Sequence, residues 1–130
     1  MNSINLENTY TSLPQEFFRY TEAEAMPDVN VVTINEQLAD LLNIDIGFLK
    51  SQSGLRFLSG KNSKTRPNSI SLAYAGHQFG HLVPQLGDGR AVLLGDKICQ
   101  DGVRRDIQLK GSGKTYFSRG GDGRAGIGPV

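Results

Sequence analysis

The 130-residue sequence predicts an α+β fold, on three observations. Helix signals gather in residues 35–50, strand signals in residues 83–110, and glycine crowds the C-terminal part, with 3 of 16 glycines in residues 1–75 and 13 in residues 76–130. A Gly-rich turn between two strand signals makes the sheet antiparallel, with the short helices ahead of it in the chain. Hydrophobic residues at 38% and charged residues at 21% fit a globular chain of one domain's length.

Residues 1–28 read as an irregular, acidic lead-in. Leu13-Pro14 and Met26-Pro27 each disfavour helix at the residue before proline, and Phe17, Phe18 and Tyr20 are expected to pin the segment to the rest of the fold. Val29–Ile34 is a β-branched run that predicts a strand or extended segment. Asn35 predicts an N-cap for a helix over Glu36–Leu42, with Leu38, Leu41 and Leu42 on its apolar face. Asp45 predicts a second cap, for a short helix over Ile46–Lys50. Ser59–Ser69 reads as a polar, basic loop with Gly60 and Pro67. Ser71–Phe79 is small and apolar, and its class stays open.

Val83–Leu86, Gly87-Asp88-Gly89 and Arg90–Leu94 predict strand, tight turn, strand, since Asp-Gly supplies the positive φ angles of a hairpin. Lys97–Cys99 extends the second strand to a turn at Gln100-Asp101-Gly102, and Arg104–Lys110 alternates as a third strand. Seven glycines in residues 111–128 exclude a regular element and predict a loop. Pro129 suits the first turn of a helix, and a chain that stops one residue later is expected to be a fragment. A sheet missing its covering helix would expose Leu93, Ile98, Ile107 and Leu109.

Charge divides sharply. Residues 1–49 carry one base and eight acids, residues 50–130 thirteen bases and five acids. Two solvated faces that attract each other explain this, as does an anionic ligand held by the second half. No apolar run reaches the roughly 18 residues of a spanning helix, and Met1-Asn-Ser-Ile-Asn-Leu-Glu7 lacks the pattern of a secretion signal, so the expected location is cytoplasmic. A lone Cys99 builds no intrachain disulfide framework.

Several motifs fail on spacing. Gly111-Ser-Gly-Lys-Thr115 lacks the first glycine of a P-loop, because Gln108 stands at that position. Gly87-Asp-Gly-Arg-Ala-Val92 lacks the third glycine of a dinucleotide fingerprint and leads into a strand. His77-Gln-Phe-Gly-His81 has the spacing of a zinc helix but Gln78 in place of the glutamate base, so structural histidines bonded to backbone are expected and no metal site. A Gly-rich turn followed by Lys110 at the end of a strand is the way protein kinases hold nucleotide phosphates, and it reads equally as a plain hairpin with a solvated strand-end lysine. Ser118-Arg-Gly-Gly-Asp-Gly-Arg124 adds two guanidiniums and mobile backbone N–H groups, both suited to phosphate oxygens.

Four segments together resemble the selenoprotein O family (SelO/YdiU): Tyr74-Ala-Gly-His-Gln-Phe-Gly80, Pro84-Gln-Leu-Gly-Asp-Gly-Arg-Ala91, Asp106-Ile-Gln-Leu-Lys-Gly-Ser-Gly-Lys-Thr115 and Ser118-Arg-Gly-Gly-Asp-Gly-Arg-Ala125. Order and spacing match over roughly residues 70–130, with a looser fit upstream; Tyr116 departs from the pattern, which has proline there. The resemblance implies a protein-kinase-like fold, here a 1–70 extension and a 71–130 partial N-lobe. It implies a protein adenylyltransferase that binds ATP in a flipped orientation and passes AMP to Ser, Thr or Tyr hydroxyls. By position, Gly87, Gly89 and Arg90 form the nucleotide loop, Lys110 meets the phosphates, and Asp122 and Gly123 complete the ATP contacts. The catalytic aspartate and the ligands of Mg2+ or Mn2+ are expected beyond Val130, so the 130 residues by themselves are expected to be inactive. The implied partners are nucleotide and protein substrates, not nucleic acid or membrane. Two rival readings are a catalytically dead nucleotide-binding fragment and a basic nucleic-acid-binding module.

Overall fold

In a computed structural model, residues 4–59, 68–126 and 128 are described. Two single 3-10 turns, Thr9–Ser12 and Gln15–Phe17, lead into strand β1 (Phe18–Tyr20). Three short helices follow: α1 (Glu36–Leu41), α2 (Ile46–Lys50) and α3 (Gln52–Leu58). Strands β2 (Ile70–Leu72), β3 (Gly76–Gln78), β4 (His81–Val83), β5 (Ala91–Ile98) and β6 (Arg104–Lys110) complete the elements. β1, β2, β5 and β6 form one antiparallel sheet in the order β1-β2-β5-β6, while β3 and β4 pair as a separate hairpin. The fold is therefore α+β with antiparallel sheets and few helices, as the sequence predicts.

Capping fixes the helices. The Asn35 side chain accepts from Leu38 N at 3.0 Å, and Asp45 accepts from Gly47 N and Phe48 N at 3.1 and 3.0 Å. α3 has no sequence expectation behind it, yet Ser51 caps it through Gly54 N at 3.1 Å. The face of α1 differs from the expected one: Ala39 is its buried residue, Leu38 is exposed, and Leu41 and Leu42 are half-buried. α2 and α3 instead supply the apolar cover, with Phe48 and Phe57 packed edge to face at 6.3 Å between ring centroids.

The core lies on both sides of β5, since neighbouring residues of a strand point to opposite faces. Leu94 packs with Ile4, Leu6 and Phe57. Leu93 packs with Phe18 and Ile70. The uncovered sheet face expected at Leu93, Ile98, Ile107 and Leu109 is thus corrected: Leu93 is fully buried, and Ile107 and Leu109 lie half-buried against the Leu94 cluster. Ile98 does stay exposed.

The lead-in is more ordered than expected. Glu7 and Asp96 exchange both backbone hydrogen bonds, at 2.9 and 2.8 Å. The fully buried Asp96 carboxylate accepts from Thr9 N and Thr9 Oγ1, each at 2.8 Å, and pairs with Arg104. Of the expected pins, Phe18 is buried, whereas Phe17 and Tyr20 are exposed. Val29–Ile34 forms no strand, and Val32 is open to solvent; the run has no neighbouring strand with which to share hydrogen bonds. The proposed boundary at residue 70 falls at the start of β2, whose partner β1 belongs to the first segment. Most of the Ser59–Ser69 loop, with Gly60 and Pro67, lies outside the described residues, as does Pro129.

The expected Gly87-Asp88-Gly89 hairpin is also corrected. β4 pairs with β3, and β5 pairs with β6 and β2, so the segment connects strands that do not pair with each other. Its backbone and side chain are taken by β2 instead: Asp88 N donates to Leu72 O at 2.9 Å, and Leu72 N donates to Asp88 Oδ2 at 3.0 Å. The hairpin that does bring β5 to β6 turns at Gln100-Asp101-Gly102, where Cys99 N donates to Val103 O at 2.9 Å. Asp101 grips Arg105 through two contacts of 2.7 Å, and that pairing draws its carboxyl down to about 2.

Candidate functional site

Three chain segments converge at one end of β5 and β6 to line a cleft of about 610 Å³. The first is the end of the strand pair. Lys110 lies opposite Ala91, and Gly111 N donates to Arg90 O at 2.7 Å, which closes the ladder beside the cleft. Gln108 shares the Lys110 face, two residues earlier on β6. Neither the Arg90 guanidinium nor the Lys110 ammonium has a hydrogen-bonded or ionic partner among the described residues, and both are exposed.

The second segment is Leu86–Arg90, clasped by the strap Thr115–Ser118. Thr115 Oγ1 donates to Asp88 O, and Ser118 Oγ donates to Gly89 O at 2.7 Å. Gly87 sits at φ +68°, and a Cβ there would stand 2.4 Å from the Phe117 ring. Its requirement for glycine is thus explained by packing on a buried phenylalanine, not by a ligand. Tyr74 closes this end with Leu86 and Phe117. Burial raises the Tyr74 phenol above its ordinary value, and the Asp88 charge and hydrogen bond raise it further, so it stays a neutral donor.

The third segment is Gly121–Arg124. Ser112 and Arg124 form an isolated antiparallel bridge, and Gly113 N donates to Gly123 O at 3.1 Å. Gly123 is held so tightly that a Cβ would lie 1.8 Å from Gly113 O. Asp122 accepts from Arg124 N at 2.9 Å in a local turn, with its carboxylate exposed at the cleft.

All six residues singled out in the sequence, Gly87, Gly89, Arg90, Lys110, Asp122 and Gly123, line this one cleft. Arg119 and Arg124 line it too, Arg119 donating to Gln78 Oε1 at 3.2 Å. Tyr74, Gln78 and Gln108 stand inside the quoted motifs but were given no site role, because a neutral side chain shows its role only once the fold brings it to a wall. The cleft therefore has an apolar end (Tyr74, Leu86, Phe117) and a cationic rim (Arg90, Lys110, Arg119, Arg124), which suits an anionic ligand with a flat, apolar part.

The histidine motif falls outside this arrangement. His77 lies opposite Leu82 and His81 opposite Gln78 on the β3–β4 hairpin, so the two imidazoles project from opposite faces. They cannot share a metal, and both are exposed rather than buried structural groups. Tyr116 carries the Arg19 guanidinium 5.0 Å from its ring centroid, a contact that the expected proline could not make.

The chain matches the family model described as Protein adenylyltransferase SelO over residues 1–128. It is 52% identical over 124 residues to Protein nucleotidyltransferase YdiU of Alkalilimnicola ehrlichii, which covers 95% of this chain and 25% of that protein. It is 51% identical over 127 residues to the protein of the same name in Nitrobacter winogradskyi, covering 98% and 25%. The chain spans about a quarter of the length of these curated relatives.

Proposed function

The chain belongs to the SelO family, and from that premise we propose that its cleft is the ATP-binding portion of a protein adenylyltransferase. One observation carries the reading: Arg90 and Lys110, two exposed cations without partners among the described residues, both line a cleft whose other end is apolar. Triphosphate charge is neutralised by the ammonium and the guanidinium fork, and the adenosine lies toward Tyr74 and Phe117. In the complete protein, a Ser, Thr or Tyr hydroxyl of a protein substrate attacks the α-phosphorus, the bond to pyrophosphate breaks, and AMP stays on the acceptor oxygen. The reading carries with it a kinase-like N-lobe, in which catalysis rests on positioning and charge neutralisation.

Mg2+ or Mn2+ is expected of such a reaction, but the cleft's carboxylates do not fit one. Asp88 is turned onto Leu72 N and Tyr74, which leaves Asp122, bonded to Arg124 N, as a single exposed carboxylate on the cleft lining among the described residues. Among the described residues no group of three or more His, Cys, Asp or Glu gathers. Among those residues, no helix is long and apolar enough to cross a membrane; a cytoplasmic location fits the proposed substrate.

The test is transfer of label by the protein expressed from its complete gene. ATP labelled at the α-phosphate should mark protein acceptors, and ATP labelled at the γ-phosphate should not. Transfer of γ label would make the protein a kinase and overturn the proposal.

A further inference from the structure

We propose that Glu24, in the lead-in segment, is a positioning residue that aims the Arg124 guanidinium at the anion in the cleft. The inference rests on the nucleotide reading above and adds to it a residue about a hundred positions away from the loop that it serves. Glu24 stands behind the wall of the cleft, not in it. Its Oε2 accepts from Arg124 Nη2 at 2.6 Å, while its Oε1 accepts from Lys114 N at 3.1 Å. Its own N–H donates to Ser112 O at 2.9 Å. Gly113 packs directly on its side chain, where a Cβ would come within 2.5 Å of Glu24 Cγ. One residue thus holds Ser112, Gly113, Lys114 and Arg124, the two strands of the glycine-rich loop, while Met26 Sδ lies against the other Arg124 nitrogen.

Chemistry explains the need for such a brace. Arg124 follows three residues of which two are glycine, so its backbone has little rigidity of its own, and its side chain has several free torsions. A guanidinium binds phosphate well only when its planar fork is already oriented. The Glu24 pair is partly exposed on both sides, at 37% and 42%, so solvent screens its attraction and it adds little to global stability. Its effect is orientation: with Nη2 held by the Glu24 carboxylate and Nη1 by Met26, the guanidinium plane is fixed and its remaining N–H groups are left for an anion, as outer carboxylates fix the groups that touch a bound ion.

The experiment is titration of the protein expressed from its complete gene with N-methylanthraniloyl-ATP. It compares unsubstituted protein, Glu24→Gln, Arg124→Ala, the double variant and, as a control for the cleft, Lys110→Ala. Glutamine keeps an oxygen for Lys114 N and removes the charge that orients Arg124, so the loop keeps its backbone anchor and the melting temperature should hold. Glu24→Gln should weaken binding about three- to tenfold, and the same substitution in the Arg124→Ala background should have no further effect. If Lys110→Ala weakens binding and Glu24→Gln does not, the role of Glu24 is overturned while the nucleotide reading stands. A Glu24→Gln loss that persists undiminished without Arg124, or tighter binding from that substitution, also overturns it. Failure of the unsubstituted protein to bind would overturn the nucleotide reading and this role together.

Discussion

Of the six residues that the sequence singles out, three are glycines and three carry polar groups, and the fold separates their duties. Gly87 and Gly123 meet Phe117 and Gly113 O before any ligand could meet them. Gly87→Val should therefore destabilise the protein by about 2–3 kcal/mol in chemical denaturation, through overpacking and strain at positive φ. A binding defect in that variant would not isolate phosphate contact. Lys110 gives the cleaner test. It is exposed at a strand end, so Lys110→Ala should leave the melting temperature within about 2 °C while weakening ATP binding about tenfold or more, as loss of a charge-assisted contact does. Unchanged affinity in a calorimetric titration would remove Lys110 from the site.

At the scale of elements, capping and acid linkage make separate predictions. Asp45→Ala removes the acceptor for two α2 N–H groups and should cost about 1 kcal/mol in urea denaturation. Burial pushes the Asp96 carboxyl up, but the Thr9 N–H, the Thr9 hydroxyl and Arg104 together outweigh it and hold the group below its ordinary value. An acid whose folded value is depressed stabilises fully above its unfolded value of about 3.9, and that contribution is lost as pH falls through the folded value. Asp96→Asn should therefore lower stability at pH 7 and flatten the loss of stability below about pH 4. A parallel acid limb in the variant would contradict the linkage. These elements also show which signals were legible. Asn35, Asp45 and the alternation of Arg104–Lys110 marked their elements because cap chemistry and period 2 act locally. α3 was hidden because Ser53 and Gly54 near its start are weak helix formers, and β1 by its three-residue length. The β3–β4 hairpin was hidden because Phe79-Gly80, at φ 53° and 77°, stands where Asn-Gly is the familiar signal. Asp88-Gly89 gave that signal where no hairpin exists, since the Asp88 side chain bonds across to β2. In the site, charge and glycine clustering were readable, but Tyr74, Gln78 and Glu24 acquire their places through contacts distant in sequence.

For the whole molecule, the opposed charges of the two halves have a structural outcome. Glu7 pairs with Arg104 and Glu24 with Arg124, so the acidic lead-in neutralises part of the basic half across the fold. Arg105 is likewise taken by Asp101. The rim cations Arg90 and Lys110, by contrast, keep no partner among the described residues and stand on a concave cleft. That pattern favours a small polyanion over a nucleic acid duplex, whose binding scales with many unpaired cations. Oligonucleotide binding should accordingly be weak and vanish by about 0.15 M salt, whereas ATP binding should persist. The most direct measurement is a 1H–15N spectrum of the protein titrated with ATP. Shifts should concentrate at residues 87–91, 108–111 and 121–124. Shifts confined instead to Thr9, Tyr10 and residues 104–106, which line a separate hollow, or no shifts at all, would contradict the claim that this cleft holds the nucleotide.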